Sequence, residues 1–283
     1  MTVSEPTASI VIPTLAAPAY LDVALASVMP QAAEHGADVV VIVDGPDPVT
    51  EEVVRRHGAV LIVFPHRRGL NSGRNAGIEA SRGELIVFVD QDIEAPPGWL
   101  AALIAGARAY PDRDMFGGPI RARLEGARRG CGREPAPITT LDAGPEDCDV
   151  PLVWGANMAI RRRAFARLGP FDPELLGRGD EEEFEYRYTA AGGRIRYLAA
   201  AGLDHRRARA DATIGALARA AYGQGREARR HDSRFGHARP VGLDLRFLLG
   251  CVWHTLRRRC PYGIVMGARA AGGLREALSP RAS

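Results

Sequence analysis

The chain has 283 residues, of which 46% are hydrophobic and 25% charged, and it carries a formal charge of +3. That composition supplies a substantial core, excludes a disordered protein, and predicts one large α/β domain or one domain with an appendage. All 37 basic residues are Arg, a bias that codon usage explains and that does not imply nucleic-acid binding; Arg67 and Arg68, Arg161 to Arg163 and Arg257 to Arg259 are local clusters that could meet phosphate or an anionic surface.

The start, Met1 to Pro6, has no basic segment followed by an apolar one, so a cytoplasmic location is expected. Residues Ala8 to Pro13 predict a first short strand, and Pro18 to Gln31 a helix with Leu21, Leu25 and Val28 on one face. Asp38 to Val43 is a second apolar run, closed by the turn residues Asp44-Gly45-Pro46-Asp47-Pro48. A helix from about Val49 to His57, a strand from Ala59 to Phe64 and a helix from Asn71 to Ser81 follow. Glu84 to Val89 then reads as a strand buried on both faces, bounded by Gly83 and by Pro96-Pro97. Strands alternating with helices of about ten residues predict right-handed crossovers and a mostly parallel sheet with helices on both faces.

In such a sheet ligands bind at the carboxyl edge. Here that edge collects Pro13, Asp44, His66 to Arg68 and Asp90-Gln91-Asp92. Two carboxylates one residue apart offer oxygen to a hard divalent cation or to a ribose, although Asp is also a common turn residue.

A helix near Gly98 to Tyr110 is followed by a strand from Asp114 to Leu124 that Gly117-Gly118-Pro119 interrupts. Residues Glu125 to Pro151 are rich in Gly, Pro, Arg and acids, too long for an ordinary connection, and are expected to form a lid or mobile loop. Order resumes at Leu152 to Asn157 and continues through Met158 to Leu168 to the turn Gly169 to Pro173. An acidic helix start at Asp180 to Glu185, a strand near Arg194 to Ala199 and Leu203-Asp204-His205 come next. Past Asp211 the composition shifts, and helices are predicted at Ile214 to Arg230, Leu243 to Leu256 and Ile264 to Leu278. Cys131, Cys148, Cys251 and Cys260 lack the two-residue spacing of zinc or thioredoxin motifs, so free thiols are expected; Cys131 and Cys148 would pair only if the segment between them folded back.

The order of Ile12-Pro13-Thr14, Val43-Asp44-Gly45, Arg74-Asn75-Ala76-Gly77, Asp90-Gln91-Asp92, Gly155-Ala156-Asn157, Gly169-Pro170-Phe171-Asp172, Gly179 to Arg187 and His205 resembles family 2 glycosyltransferases with the GT-A fold. Each motif is short; their joint order over roughly Ser9 to Arg206 is specific. The resemblance implies a GT-A domain over residues 1–210, with a nucleotide-sugar half at about 8–110 and an acceptor half at about 111–210, and a C-terminal helical extension over 211–283. It implies inverting transfer of a hexose from a nucleotide diphosphate sugar, with UDP favoured, to a hydroxyl on a small molecule, a glycan or a lipid-linked acceptor. Mn²⁺ or Mg²⁺ would stabilise the charge developing on the diphosphate.

Carried onto these residues, the resemblance gives Asp44 the nucleoside, with Pro13 shaping the same pocket. Arg74 would order the loop near the donor, or stand as a surface Arg at a helix start. Asp90, with Gln91 between the two acids, would lie toward the ribose or a metal-bound water, and Asp92 would ligate the metal. His205 matches a position that adds a metal contact in some members, and reads equally as a strand-end His bonded to backbone. Trp154, Gly155 and Asn157 would face the sugar and acceptor, Gly155 by close backbone approach, with a core Trp as the competing reading.

Single-displacement inversion needs a base. Asp180-Glu181 aligns with the family's Glu-Asp pair in swapped order, so Glu181 falls at the base and Asp180 is the alternative. Those acids also fit a capping box, with Asp180 as N-cap and Glu183 reaching back. Arg178 and Arg187 would contact phosphate or balance the acidic helix. A nucleotide-sugar-forming nucleotidyltransferase would want a Gly-rich basic loop after the first strand, which Leu15 to Pro18 lacks; a non-catalytic nucleotide-sugar-binding or scaffold protein is the other alternative. No C-terminal stretch is long and uncharged enough to span a bilayer. The basic amphipathic helices there would pack on the catalytic domain or a homodimer partner, or lie on the inner face of a membrane.

Overall fold

Strand alternation explains the architecture. In β1 (Ala8–Thr14), Ile10 and Ile12 enter one apolar cluster and Val11 the other; β2 (Asp38–Val43) divides Val39 and Val41 from Val40 and Ile42, and β4 (Leu85–Phe88) divides Leu85 and Val87 from Ile86 and Phe88. Both faces are therefore covered, and each fully buried Ile, Leu, Val or Phe contributes roughly 1.5–3 kcal/mol. The structure is a computed structural model that describes residues 8–126, 131, 138–175, 181–234 and 236–279.

Helices α1 (Pro18–Glu34) and α2 (Pro48–His57) each begin on a proline, whose fixed φ suits the first helical turn. α1 presents Leu21, Ala24, Leu25 and Val28 to the core at helical spacing, and α2 ends on Gly58 in the left-handed conformation (φ 73°). After β3 (Val60–Val63) comes α3 (Leu70–Ala80), which lies so close to the sheet that a Cβ on Gly77 would collide with Val11.

β5 (Ile93–Glu94), α4 (Trp99–Ala109), β6 (Met115–Gly117) and β7 (Ile120–Leu124) follow. Then come β8 (Cys148–Val150), a 3-10 turn at Gly155–Asn157, β9 (Met158–Arg161), α5 (Arg162–Leu168), α6 (Glu182–Ala190), β10 (Ile195–Tyr197) and β11 (Leu203–Arg207). α7 (Ile214–Arg234), α8 (Val241–Arg258) and α9 (Tyr262–Ala277) are the last elements among the described residues.

The main sheet runs β3-β2-β1-β4-β9-β6-β10-β8, and a smaller sheet runs β5-β11-β7. β3, β2, β1 and β4 are mutually parallel; β9 is antiparallel to both β4 and β6, and β8 to β10. This is the expected α/β sheet with helices on both faces, mixed in its second half. The Gly117-Gly118-Pro119 interruption does more than break a strand: it carries the chain from one sheet to the other. A Cβ on Gly118 would strike the Ala201 carbonyl there. Of the expected long loop, residues 127–130 and 132–137 lie outside the described residues, and Cys148–Val150 is a strand that pairs with β10.

The described residues form two compact units. The first comprises 8–122, 139–175 and 181–206; the second comprises 123–126, 131, 138, 207–234 and 236–279. In the second, α9 packs on both α7 and α8, and Gly225 and Gly272 permit the close crossing with α7, since a Cβ on either would meet a facing carbonyl. α8 leaves Leu249, Trp253 and Leu256 exposed. Among the described residues no helix is long and apolar enough to cross a membrane.

Candidate active site

Because β1, β2 and β4 are parallel, their carboxyl ends share one edge. Thr14 lies opposite Val43, and the N–H of Val89 donates to the carbonyl of Val11, which brings Pro13, Asp44 and Asp90 to that edge. β9 enters antiparallel with Met158 opposite Phe88, so the turn before it, Trp154 to Asn157, arrives beside the end of β4.

Asp90 and Asp92 meet His205 through a short pairing. β5 begins immediately after Asp92 and pairs antiparallel with β11, setting His205 opposite Ile93, and the Arg206 N–H donates to the Asp92 carbonyl at 2.8 Å. One ligand atom each from Asp90, Asp92 and His205 then lies within 4.8 Å of the others. His205 is buried, and its Nε2 is 3.2 Å from Asp92 Oδ1.

The other ring nitrogen sets the tautomer. His205 Nδ1 lies 3.1 Å from the Thr139 carbonyl, which can only accept, so Nδ1 carries the hydrogen. In a neutral ring, Nε2 then points a lone pair at a carboxylate, and a ring proton or a shared cation must separate the two acceptors. A backbone carbonyl orienting a metal-binding His is a recurrent arrangement. The residues present therefore fit a divalent cation. Asp90 gives the same indication: protein atoms surround it although an edge stays accessible, and burial together with the Asp92 charge pushes its pKa up to about 6.

Gln91 and Asp44 are committed to shaping this edge. Gln91 Oε1 accepts from the Thr14 hydroxyl and, at 2.9 Å, from the Leu15 N–H, which fastens the acidic turn to the end of β1. Asp44 accepts from the N–H groups of Arg68 (2.6 Å) and Gly69 (3.1 Å), holding the loop that enters α3. Pro13 is half-buried and packs against α3, where a Cβ on Gly73 would come within 3.2 Å of it.

Arg74 is no surface residue at a helix start; it is 2% exposed. Its guanidinium bonds Asn71 Oδ1 at 3.0 Å, lies 5.5 Å from the centroid of the Phe171 ring and stands 3.9 Å from Glu181 Oε2. Gly155 accommodates it: a Cβ there would collide with the guanidinium. Close approach is the reason for the glycine, and the group approached is Arg74. Neighbouring side chains fix α3 in place, with Asn71 and Asn75 bonding the backbone of Asp172 and Phe171.

Glu181 is also buried, and its Oε1 accepts from the Gly155 N–H at 3.3 Å. One helical turn later, the wholly buried Glu185 accepts from the Val153 N–H at 2.9 Å. A four-residue step along a helix (~6 Å) nearly matches a two-residue step along an extended strand (~6.6 Å), so the two acids grip alternate N–H groups of one segment. Among the described residues Glu185 Oε2 has no hydrogen-bond partner, and burial, reinforced by Glu181, raises the Glu185 pKa well above the ordinary value. A signal for Glu185 existed in the sequence, the i,i+4 spacing from Glu181, but the capping-box reading drew attention to Glu183. The expected N-cap, Asp180, lies outside the described residues; among those described, Glu181 makes no side-chain cap bond and Glu183 pairs with Arg187. Arg187 also bonds the carbonyls of Leu168 and Pro170, a structural assignment. Asp180 and Arg178 lie outside the described residues.

Asn157 does not face the cleft. It is fully buried, with Oδ1 accepting from Trp99 Nε1 at 3.0 Å and Nδ2 donating to the carbonyls of Ala201 (2.8 Å) and Pro119 (3.2 Å). A buried amide must be satisfied, and this one is, by the core. Trp154 is half-buried and packs against the larger apolar cluster, in line with the core alternative.

Comparison with known proteins follows the same lines. The family described as Glycosyl transferase family 2 matches residues 9–169. A pre-mycofactocin glycosyltransferase of Mycobacterium tuberculosis is 29% identical over 183 residues, covering 61% of this chain and 38% of that protein. A glucosyl-dolichyl phosphate glucuronosyltransferase of Haloferax volcanii is 23% identical over 190 residues, covering 60% of this chain and 59% of that protein. The chain thus matches less than two thirds of the length of either relative. Among solved structures, the mannosyltransferase PcManGT from Pyrobaculum calidifontis in complex with GDP-Man and Mn²⁺ is similar in fold, with a TM-score of 0.58 at 17% identity, covering 97% of this chain and 74% of that one.

Proposed function

The chain belongs to glycosyl transferase family 2, and from that premise we propose that it moves a hexose from a nucleoside diphosphate sugar to an acceptor hydroxyl, with inversion and with a divalent cation. The observation that carries the reading is the convergence of Asp90, Asp92 and the lone-pair nitrogen of His205 within 4.8 Å at the carboxyl edge of the sheet. Those three residues would hold Mn²⁺ or Mg²⁺, which when bound supplies Lewis-acid stabilisation of the diphosphate leaving group.

The protein's own groups take the remaining roles. Asp44 and Pro13 border the nucleoside side of the edge. Glu181 accepts the proton of the acceptor hydroxyl as its oxygen attacks the anomeric carbon, and Arg74 together with the Gly155 N–H holds the carboxylate in position for that transfer. Family membership disfavours the nucleotidyltransferase reading, and turnover of a donor would exclude a purely binding role. UDP-hexoses are the first donors to test, and the GDP-Man of the fold neighbour makes GDP-sugars their direct competitors.

The test is a thermal-shift and calorimetric screen of UDP-, GDP- and dTDP-sugars with and without Mn²⁺ or Mg²⁺. One nucleotide class should raise the melting temperature in a cation-dependent way, and that donor should be hydrolysed or transferred. If no nucleotide sugar binds with either cation present, the proposal fails.

A further inference from the structure

A second group of metal-ligand side chains lies in the second compact unit, and sugar transfer makes no use of it. Cys131 lies on the connection that follows β7, His254 on the last turns of α8, and Cys260 between α8 and α9. One ligand atom from each lies within 4.8 Å of the other two, and Cys131 Sγ is 3.5 Å from His254 Nε2. Tetrahedral zinc, with bonds of about 2.3 Å to sulfur and about 2.0–2.1 Å to nitrogen, requires a sulfur-to-nitrogen separation of about 3.6 Å. The observed Cys131–His254 separation, which also suits a thiol–imidazole hydrogen bond, is compatible with a shared zinc. Linear spacing concealed it, because Cys131 and His254 are 123 positions apart.

Two further observations bear on it. Arg259, immediately before Cys260, adopts the left-handed conformation (φ 49°, ψ 36°), which a non-glycine residue takes only at a cost. That turn ends α8 and returns Cys260 toward His254. Beside the group is a cavity of about 590 Å³, which Cys131 and His254 help to line along with Arg239, Arg246 and Tyr262.

We propose that Cys131, His254 and Cys260 bind one zinc ion that ties the connection after β7 to the α8–α9 turn. Two thiolates and an imidazole form a soft set that selects zinc, while the carboxylate-rich group of Asp90, Asp92 and His205 suits Mn²⁺ or Mg²⁺. Binding releases the two thiol protons to solvent. Among the described residues no fourth His, Cys, Asp or Glu belongs to the cluster. Three protein ligands leave one tetrahedral position for water, and the adjoining cavity provides room for it.

The test uses the full chain purified under reducing conditions without chelator. Metal analysis should find one equivalent of zinc per chain, and substitution by Co²⁺ should give thiolate-to-cobalt charge-transfer absorption with tetrahedral d–d bands. Cys131→Ser and Cys260→Ser should each weaken zinc at least about tenfold and remove most of the charge-transfer band, while Cys148→Ser and Asp92→Ala should leave it intact. The wild-type cobalt spectrum needs no variant to fold. Absence of the sulfur band in wild type, its persistence in the Cys131→Ser/Cys260→Ser double variant, or a Cys131–Cys260 disulfide trapped by alkylation at lysis would each overturn the proposal.

Discussion

Asp90 and Asp92 at the end of β4 share their corner with a histidine, whereas Glu181 at the start of α6 shares its corner with Arg74 and a backbone N–H. The residue chemistry is the same and the electrostatic outcome differs. In the first group, burial and mutual repulsion raise Asp90 to about 6 even with Arg74 and His205 opposing the shift. In the second, the protein supplies its own countercharge, and beneath it burial pushes the Glu185 pKa upward. On the proposed reading, an added cation would balance the first group, whereas Arg74 already stands as countercharge to the acid that would take the acceptor proton.

Substitutions on the two sides should therefore fail in different ways. Asp92→Ala should abolish cation-dependent donor binding and lower kcat/KM by about 10²–10⁴-fold, as expected when a metal contribution of several kcal/mol is lost. Glu181→Gln should bind donor and cation as wild type does and lose about 10²–10⁴-fold in kcat. Calorimetry with Mn²⁺ and steady-state kinetics separate the two. Equal loss of donor affinity in both variants would erase the distinction, and a wild-type rate in Glu181→Gln would transfer the base to Asp180.

Arg74 tests the internal balance directly. Removing a buried cation leaves its acidic neighbours uncompensated, so Arg74→Met should destabilise the fold by about 3–5 kcal/mol in urea denaturation. Adding Glu181→Gln to that variant should recover part of the loss, because the two groups are coupled. If Arg74→Met costs less than about 1 kcal/mol, Arg74 is not the countercharge of this corner.

The sequence made the parallel half of the sheet readable, because apolar runs bounded by glycine, proline and turn residues leave little choice of element. Asp90, Asp92 and His205 were also readable, through motif order. The destinations of individual side chains were not. Asn157 and Gly155 sit in one short motif, yet Asn157 is spent on Trp99, Pro119 and Ala201 while Gly155 makes room for Arg74. Such contacts join residues 26 to 123 positions apart, as Gly155 with Glu181 and Cys131 with His254, and no local pattern encodes them.

Asp90→Asn should produce the smallest effect, and one of opposite sign. A carboxyl moved from its ordinary 3.8 to about 6 is disfavoured as the anion by up to about 3 kcal/mol. Below about pH 3.8 the folded and unfolded chains both hold this proton, and Asp90 contributes its full stability. As the pH rises the unfolded chain releases the proton first, so that stability drains away until the folded group ionises near pH 6. Asn has no such dependence. Without added cation, Asp90→Asn should gain on wild type between pH 4.5 and 7.5, by up to about 3 kcal/mol, in paired urea midpoints. Saturating Mn²⁺ should reverse the order, since only the wild type gains a countercharge for its two carboxylates. An unchanged difference at both pH values would mean that burial of Asp90 costs the fold nothing, and that the corner does not depend on a cation for its balance.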